Sequence, residues 1–264
     1  MVKLSVNKLN FSYGNSFSLR DVSFSVEPGQ ICAFLGPNGS GKTTLTKCIT
    51  GVLKKDSGKI SLDNRDMGEL KERELSRLLA YVPQIHEASF HYTVTDMVLM
   101  GRNPYIGYFS MPKNEDMKKC LSALAMLKID CIKNSIFTEI SGGQQKLVLI
   151  ARALAQETPF ILLDEPTAHL DFRNKLLVLK KIKNLVKAKE VTVLLSLQDP
   201  NEVMLVADST IILNNGEIVS QGKTQEVLTS KIIKEIYGID AELFDSGERK
   251  VFIPSLNSIK GDFA

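Results

Sequence analysis

Residues 31–53 read ICAFLGPNGSGKTTLTKCITGVL, and the order of its three parts decides the fold. ICAFLG is a continuous apolar run, the pattern of a strand covered on both faces. GPNGSGKT, from Gly36 to Thr43, fits GxxxxGK(S/T) in the context this motif needs, directly after a strand and opening a helix. TTLTKCITGVL reads as that helix. The glycines let the backbone fold so that successive N–H groups face inward, an anion nest at the positive end of a helix dipole. Lys42 then supplies a point charge to the β and γ oxygens of a nucleotide, and the Thr43 hydroxyl is placed to ligate Mg²⁺.

Upstream, LSVNKLNFSYG and FSLRDVSFSV alternate with the period of half-buried antiparallel strands around a turn near Gly14 and Asn15. Downstream, GKISLD reads as a strand, ELKERELSRLLA as a helix and AYVPQ as a strand that Pro83 ends. From about Thr93 to Gln156 the signals are helical: TVTDMVLMG, NEDMKKCLSALAMLKI and SGGQQKLVLIARALAQ, the last with Leu147, Ile150, Ala151 and Leu154 on one face. The α/β alternation resumes with PFILLDEP, a helix over FRNKLLVLKKIKNLVKA and a strand VTVLLSL. STIILNN and EIVSQG follow as a hairpin about Asn215 and Gly216. KTQEVLTSKIIKEIYG reads as helix, and the remainder offers a short strand at KVFIP.

Composition narrows the function classes. The chain has 264 residues, 44% of them hydrophobic, enough for one large domain or two joined subdomains. A net charge of +3, 7% aromatic residues and no Trp give no footprint for a nucleic-acid partner. Cys32, Cys48, Cys120 and Cys131 have no metal-site or disulfide spacing and read as small apolar residues. No apolar run approaches the ~20 residues that span a bilayer, and the alternating start lacks a signal-peptide core, so a cytosolic chain is expected.

Two further segments carry chemistry. PFILLDEP puts Asp164 and Glu165 at the carboxyl end of a buried strand, where open α/β sheets bind ligands. Beside a phosphate loop, Asp164 is expected to hold Mg²⁺ through its water shell and Glu165 to polarise an attacking water. SGGQQ at 141–145 stands just ahead of a helix, as an N-cap turn or as a second set of N–H groups for an anion. His86 and His91 lack further ligands for a metal site, and the lysines of residues 175–189 read as a solvated helix face.

The ordered set of phosphate loop, Gln84 in YVPQ, SGGQQ, ILLDEP and HLD resembles the nucleotide-binding subunit of ATP-binding-cassette (ABC) transporters, over about residues 3–238. The resemblance implies an α/β P-loop NTPase with a RecA-like core, an antiparallel β subdomain and an α-helical signature subdomain. It divides the chain into an ATP-binding domain at 2–238, with core 2–86 and 157–238 and helical subdomain 87–156, and a tail at 239–264. It implies ATP and Mg²⁺ as ligands and ATP hydrolysis as the activity. Tyr13 would stack on adenine, and Gly36, Pro37, Asn38, Gly39, Ser40, Gly41, Lys42, Thr43 and Thr44 would hold the phosphates. Thr43, Gln84 and Asp164 would attend the Mg²⁺, with Gln84 also reaching the attacking water. Two copies would dock head to tail, so that Ser141, Gly142, Gly143 and Gln144 of one cap the ATP of the other, with Asp171 and His169 at the interface.

The chain departs from that pattern at Ile140, where leucine is usual, and at Gln198, where a histidine usually touches the γ-phosphate. An amide can donate to phosphate but cannot become cationic or shuttle a proton. A subunit that tolerates Gln or turns over slowly, and a substituted one that traps the ATP-bound state, both fit that difference. MVLMGRNPYIGYFSMPKNED, at 97–116, looks like the matching segment in subunits of importers for iron(III)-siderophores, haem or cobalamin, and in some relatives molybdate or tungstate. That implies permease subunits, an extracytoplasmic binding protein and a peripheral place on the cytoplasmic face of the membrane. A non-transport cytosolic ABC ATPase is the alternative, though such chains carry two cassettes or a coiled-coil insertion. P-loop kinases and GTPases have no use for SGGQQ ahead of ILLDEP.

Overall fold

The computed structural model describes residues 2–14, 17–84, 91–107, 109–189, 191–247 and 250–255. β1 (Leu4–Ser12) and β2 (Ser18–Val26) form the expected antiparallel pair. β3 (Ile31–Leu35), buried at every position, leads through the glycine-rich loop into α1 (Lys42–Ile49). That helix stops short of the reading to Leu53, because Gly51 takes a left-handed φ of 75°. β4 (Ser57–Leu62) and β5 (Arg65–Asp66) complete a four-stranded antiparallel sheet of order β2-β1-β4-β5. α2 (Glu72–Leu78) gives way to β6 (Leu79–Val82), where pairing with a buried strand overrides the helical pattern of the two residues after Leu78.

The helical stretch contains α3 (Val94–Leu99), α4 (Asn114–Met126) and α5 (Gly142–Ala155). Arg102 braces it from inside: its buried guanidinium donates to Asp116 Oδ1 at 3.0 Å and to the Ala155 carbonyl at 2.7 Å. The Tyr105 ring lies 4.1 Å from that guanidinium. A buried cation with this many partners ties α4 to the end of α5.

β7 (Phe160–Leu163), α6 (Phe172–Lys189), β8 (Thr192–Leu197), α7 (Pro200–Val206), β9 (Ser209–Asn214) and β10 (Glu217–Lys223) return to the second sheet. Its order is β10-β9-β3-β8-β7-β6, parallel except for β10. The β9–β10 turn uses Asn215 and Gly216 with φ of 48° and 81°, as the Asn-Gly pair predicts. The run after β10 splits into α8 (Thr224–Val227) and α9 (Ser230–Tyr237), because the Thr229 hydroxyl caps the second helix by accepting from the Ile232 N–H. β11 (Ala241–Asp245) and β12 (Lys250–Pro254) close the described chain as a hairpin.

The buried face of each sheet meets a different layer. Cys32 and Phe34 point with α1 toward the antiparallel sheet, while Ile31, Ala33 and Leu35 point toward the helices. α6 buries Val178, Leu179, Ile182 and Leu185 and turns most of its lysines outward, as its spacing predicts. Cys32, Cys48 and Cys120 are buried and free, and burial pushes the Cys32 thiol up to about 12.

Candidate nucleotide site

The loop after β3 is fixed by close packing. A Cβ on Gly36 would run into the Leu213 carbonyl and the Ser40 side chain, and Gly39 and Gly41 take φ of 79° and 108°, where glycine has no steric cost. Gly41 opens α1, so the N–H groups of the first turn face the loop. The buried Lys42 ammonium donates to the carbonyls of Gly36 at 2.7 Å and Pro37 at 3.0 Å, which aims it along the loop. Burial lowers its pKa, and the charges of Glu165 and Asp164 work against that shift.

Asp164 and Glu165 lie just past β7, both buried, and Glu165 adopts a φ of 45°. Such a backbone costs on the order of 1–3 kcal/mol in a non-glycine residue and persists only where its surroundings hold it. Ser196 on β8 does the holding: its hydroxyl donates to Asp164 Oδ1 at 2.6 Å and accepts the Glu165 N–H at 2.8 Å. The Thr43 hydroxyl reaches the same Asp164 oxygen at 3.5 Å. The Glu165 carboxylate is gripped from both sides, accepting from Gln84 Nε2 at 2.8 Å on one oxygen and from Gln198 Nε2 at 2.6 Å on the other. Hard oxygen donors at Thr43, Asp164 and the Gln84 side-chain carbonyl suit Mg²⁺.

Burial raises the Asp164 pKa above its ordinary value of 3.8, partly offset by the hydrogen bonds from Ser196 and Thr43, and the Glu165 charge raises it further. A carboxyl raised on folding contributes stability that is fully present below pH 3.8 and is lost as pH rises through the native value. Ionised Asp164 is therefore a cost at neutral pH. Asp164→Asn is expected to raise the melting temperature of the nucleotide-free chain at pH 7.5 and to abolish the extra stabilisation that Mg²⁺ adds to bound ATP. Calorimetry with ATP, with and without Mg²⁺, checks both halves.

The loop and the strand ends open on a cleft of about 900 Å³. Of the predicted residues it gathers Tyr13, Asn38, Gly39, Gly41, Lys42, Thr43, Thr44, Gln84, Glu165 and Gln198. Tyr13, 45% exposed, stands at the rim with its ring edge-on to Phe11. His169, expected at an interface, also lines this cleft.

Ser141, Gly142, Gly143, Gln144 and Asp171 are not among the lining residues. Ser141 caps α5: its hydroxyl accepts the Gln144 N–H at 3.4 Å, and Gln144 Oε1 accepts the Ser141 N–H at 3.0 Å. Gly143 lies so close to Asn174 that a Cβ would sit 2.8 Å from its side chain. Asn174 in turn donates to both Asp171 oxygens, at 2.8 and 2.7 Å. The α5 cap and Asp171 are thus one surface unit, apart from the chain's own cleft. Ile140 is half-buried against the core, so an apolar side chain is what that position needs.

Several side chains that brace the candidate site escaped the sequence reading. Ser196 carries a signal, a hydroxyl inside an otherwise apolar strand end. Lys146, buried on α5, donates to the Gln84 carbonyl at 2.9 Å and so ties the helical layer to the glutamine of the site. Thr167 donates to Glu202 at 2.6 Å, and Glu202 pairs with Lys175 at 3.0 Å along the cleft wall. No local motif marks Lys146, Thr167 or Glu202. His86 lies outside the described residues, His91 is exposed, and among the described residues no three His, Cys, Asp or Glu side chains converge as a metal site.

A family described as ABC transporter matches residues 19–168. The chain is 38% identical over 240 residues to a probable iron chelatin transport ATP-binding protein of Helicobacter pylori, covering 90% of this chain and 94% of that protein. A solved ABC transporter in an inward-facing conformation, described as of metal-chelate type, matches with a TM-score of 0.86 and 33% identity over 97% of this chain and 98% of that one. A dimeric bacterial ABC transporter cassette matches with a TM-score of 0.73 and 28% identity, over 84% of this chain and 98% of that one.

Proposed function

The chain belongs to the ABC transporter ATP-binding family, and from that premise we propose that it drives uptake of a metal chelate of the iron-siderophore, haem or cobalamin kind. It is an ATPase with the P-loop NTPase fold. The observation that carries the catalytic reading is the Glu165 carboxylate held between Gln84 and Gln198 in the cleft that Lys42 and Thr43 also line. Backbone N–H groups of the loop and the Lys42 ammonium bind the phosphates, and the Tyr13 ring lies at the rim for the adenine. Thr43, Asp164 and Gln84 would hold Mg²⁺, which would supply charge to offset that of the phosphate oxygens. Glu165 takes the proton of the attacking water while Gln84 keeps its carboxylate oriented. Gln198 donates to the γ-phosphate as a neutral amide.

Ser141, Gly142, Gly143 and Gln144 close the ATP site of a second copy docked head to tail, with Asp171 at the interface. The exposure of Ser141 and Gly142 at the head of α5, outside their own cleft, supports this, as does the dimeric cassette among the similar structures. On this reading residues 2–238 form the ATP-binding domain, with the helical subdomain at 87–156, and the tail begins at 239. Among the described residues no helix is long and apolar enough to cross a membrane. The chain works as a peripheral subunit on the cytoplasmic face, beneath permease subunits fed by an extracytoplasmic binding protein. Phe109 and Met111, 105% and 85% exposed in the 97–116 stretch, offer the permease an apolar contact.

The test is purification of the chain with its membrane partner, followed by ATPase assays in vesicles with iron(III)-siderophore, haem, cobalamin, molybdate or tungstate. Stimulation by a metal chelate is expected. Stimulation by molybdate or tungstate alone moves the substrate to the oxyanions, and failure to bind any membrane protein contradicts the importer reading.

A further inference from the structure

The contacts that the site's own chemistry does not use lie behind Gln198. This residue follows the end of β8 and precedes α7, so its main-chain carbonyl belongs to neither element. The Tyr237 hydroxyl, at the end of α9, donates to that carbonyl at 2.8 Å. Just inside α7, the Asn201 side chain makes a two-way bond with the backbone of Phe252 on β12. Its Nδ2 donates to the Phe252 carbonyl at 3.1 Å, and its Oδ1 accepts the Phe252 N–H at 2.8 Å. Phe252 is 3% exposed and shares the core with Ile233 and Ile236 of α9. The turn that aims Gln198 at Glu165 is therefore pinned at both ends by the C-terminal segment.

We propose that Tyr237 and Asn201 are positioning residues for Gln198, and that α9 and the β11–β12 hairpin serve turnover by fixing where its amide points. The proposal rests on the reading of Gln198 as a contact in hydrolysis. A hydrogen bond to a main-chain carbonyl constrains the backbone whatever side chain residue 198 carries, so Tyr237 acts on the amide only through the turn. The 2.6 Å bond from Gln198 to Glu165 leaves little slack, and a turn freed by a fraction of an ångström lowers the share of molecules with the amide in place.

The competing view is that Tyr237 only staples α9 to the core, which would lower stability without a specific effect on turnover. A double-mutant cycle on the full chain separates the two. Steady-state ATPase and ATP affinity are measured for the unsubstituted chain, Tyr237→Phe, Gln198→Ala and the pair. Tyr237→Phe is expected to lower kcat about three- to tenfold, the effect of one neutral hydrogen bond, with the Kd for ATP unchanged. In the Gln198→Ala background it should lower kcat no further. Asn201→Ala, which leaves the Tyr237 bond in place, is expected to show the same pattern. Unchanged kcat in both single variants, or losses that multiply with Gln198→Ala, would overturn the proposal while leaving Gln198's role intact. A Gln198→Ala chain with undiminished kcat would overturn that role and the proposal together.

Discussion

Glu165→Gln is expected to lower the steady-state ATPase rate about 10²–10⁴-fold, the contribution of a positioned general base, while ATP affinity stays within a few fold of the unsubstituted chain. The carboxylate now accepts two amide N–H groups, at 2.8 and 2.6 Å, one on each oxygen. A glutamine offers one oxygen and one NH₂, so one of those contacts becomes donor against donor and the base is lost at the same time. On the proposed reading nucleotide binding rests elsewhere, on the loop backbone and Lys42, and the buried Glu165 backbone keeps its bond to Ser196. Phosphate release and calorimetric titration with ATP measure the two quantities on one sample. A turnover loss below tenfold would move the base away from Glu165.

Lys42→Met has the opposite signature: affinity for ATP is expected to fall by about 2–5 kcal/mol, tens- to thousands-fold in Kd. The ammonium is buried and already desolvated, so its attraction for phosphate is not spent on displacing water. Methionine keeps most of the stem's packing, and circular dichroism should show the fold retained. Titration of ATP into the variant gives the number directly. Unchanged affinity would mean that the backbone nest alone carries phosphate binding.

How much of this was legible in the sequence follows from the range of the interactions. The loop, its flanking strand and helix and the Asn215–Gly216 hairpin were readable because local backbone demands dictate those residues. α7 went unread although it carries a local capping pattern: Asp199 accepts from the Asn201 N–H and Pro200 stands in the first turn. The end of α2 was not legible locally, because Leu79 and Ala80 join a parallel sheet whose partner strand lies about eighty residues on. Ser196, Lys146 and Tyr237 meet the site across gaps of the same kind, their hydrogen-bonded partners lying 32, 62 and 39 positions away in sequence. Their chemistry appears only once the sheet brings the strand ends together. The ordered motifs, by contrast, carry the family wherever the chain happens to place them.

On the proposed reading the cleft is half a site, completed by Ser141–Gln144 of a second copy. Light scattering on the size-fractionated Glu165→Gln chain with saturating ATP and Mg²⁺ tests it most directly. The expected result is a chain at its own 29.3 kDa without nucleotide and a dimer of twice that mass with ATP, lost again when Ser141→Arg is added. A chain that binds ATP and stays at the monomer mass would contradict it.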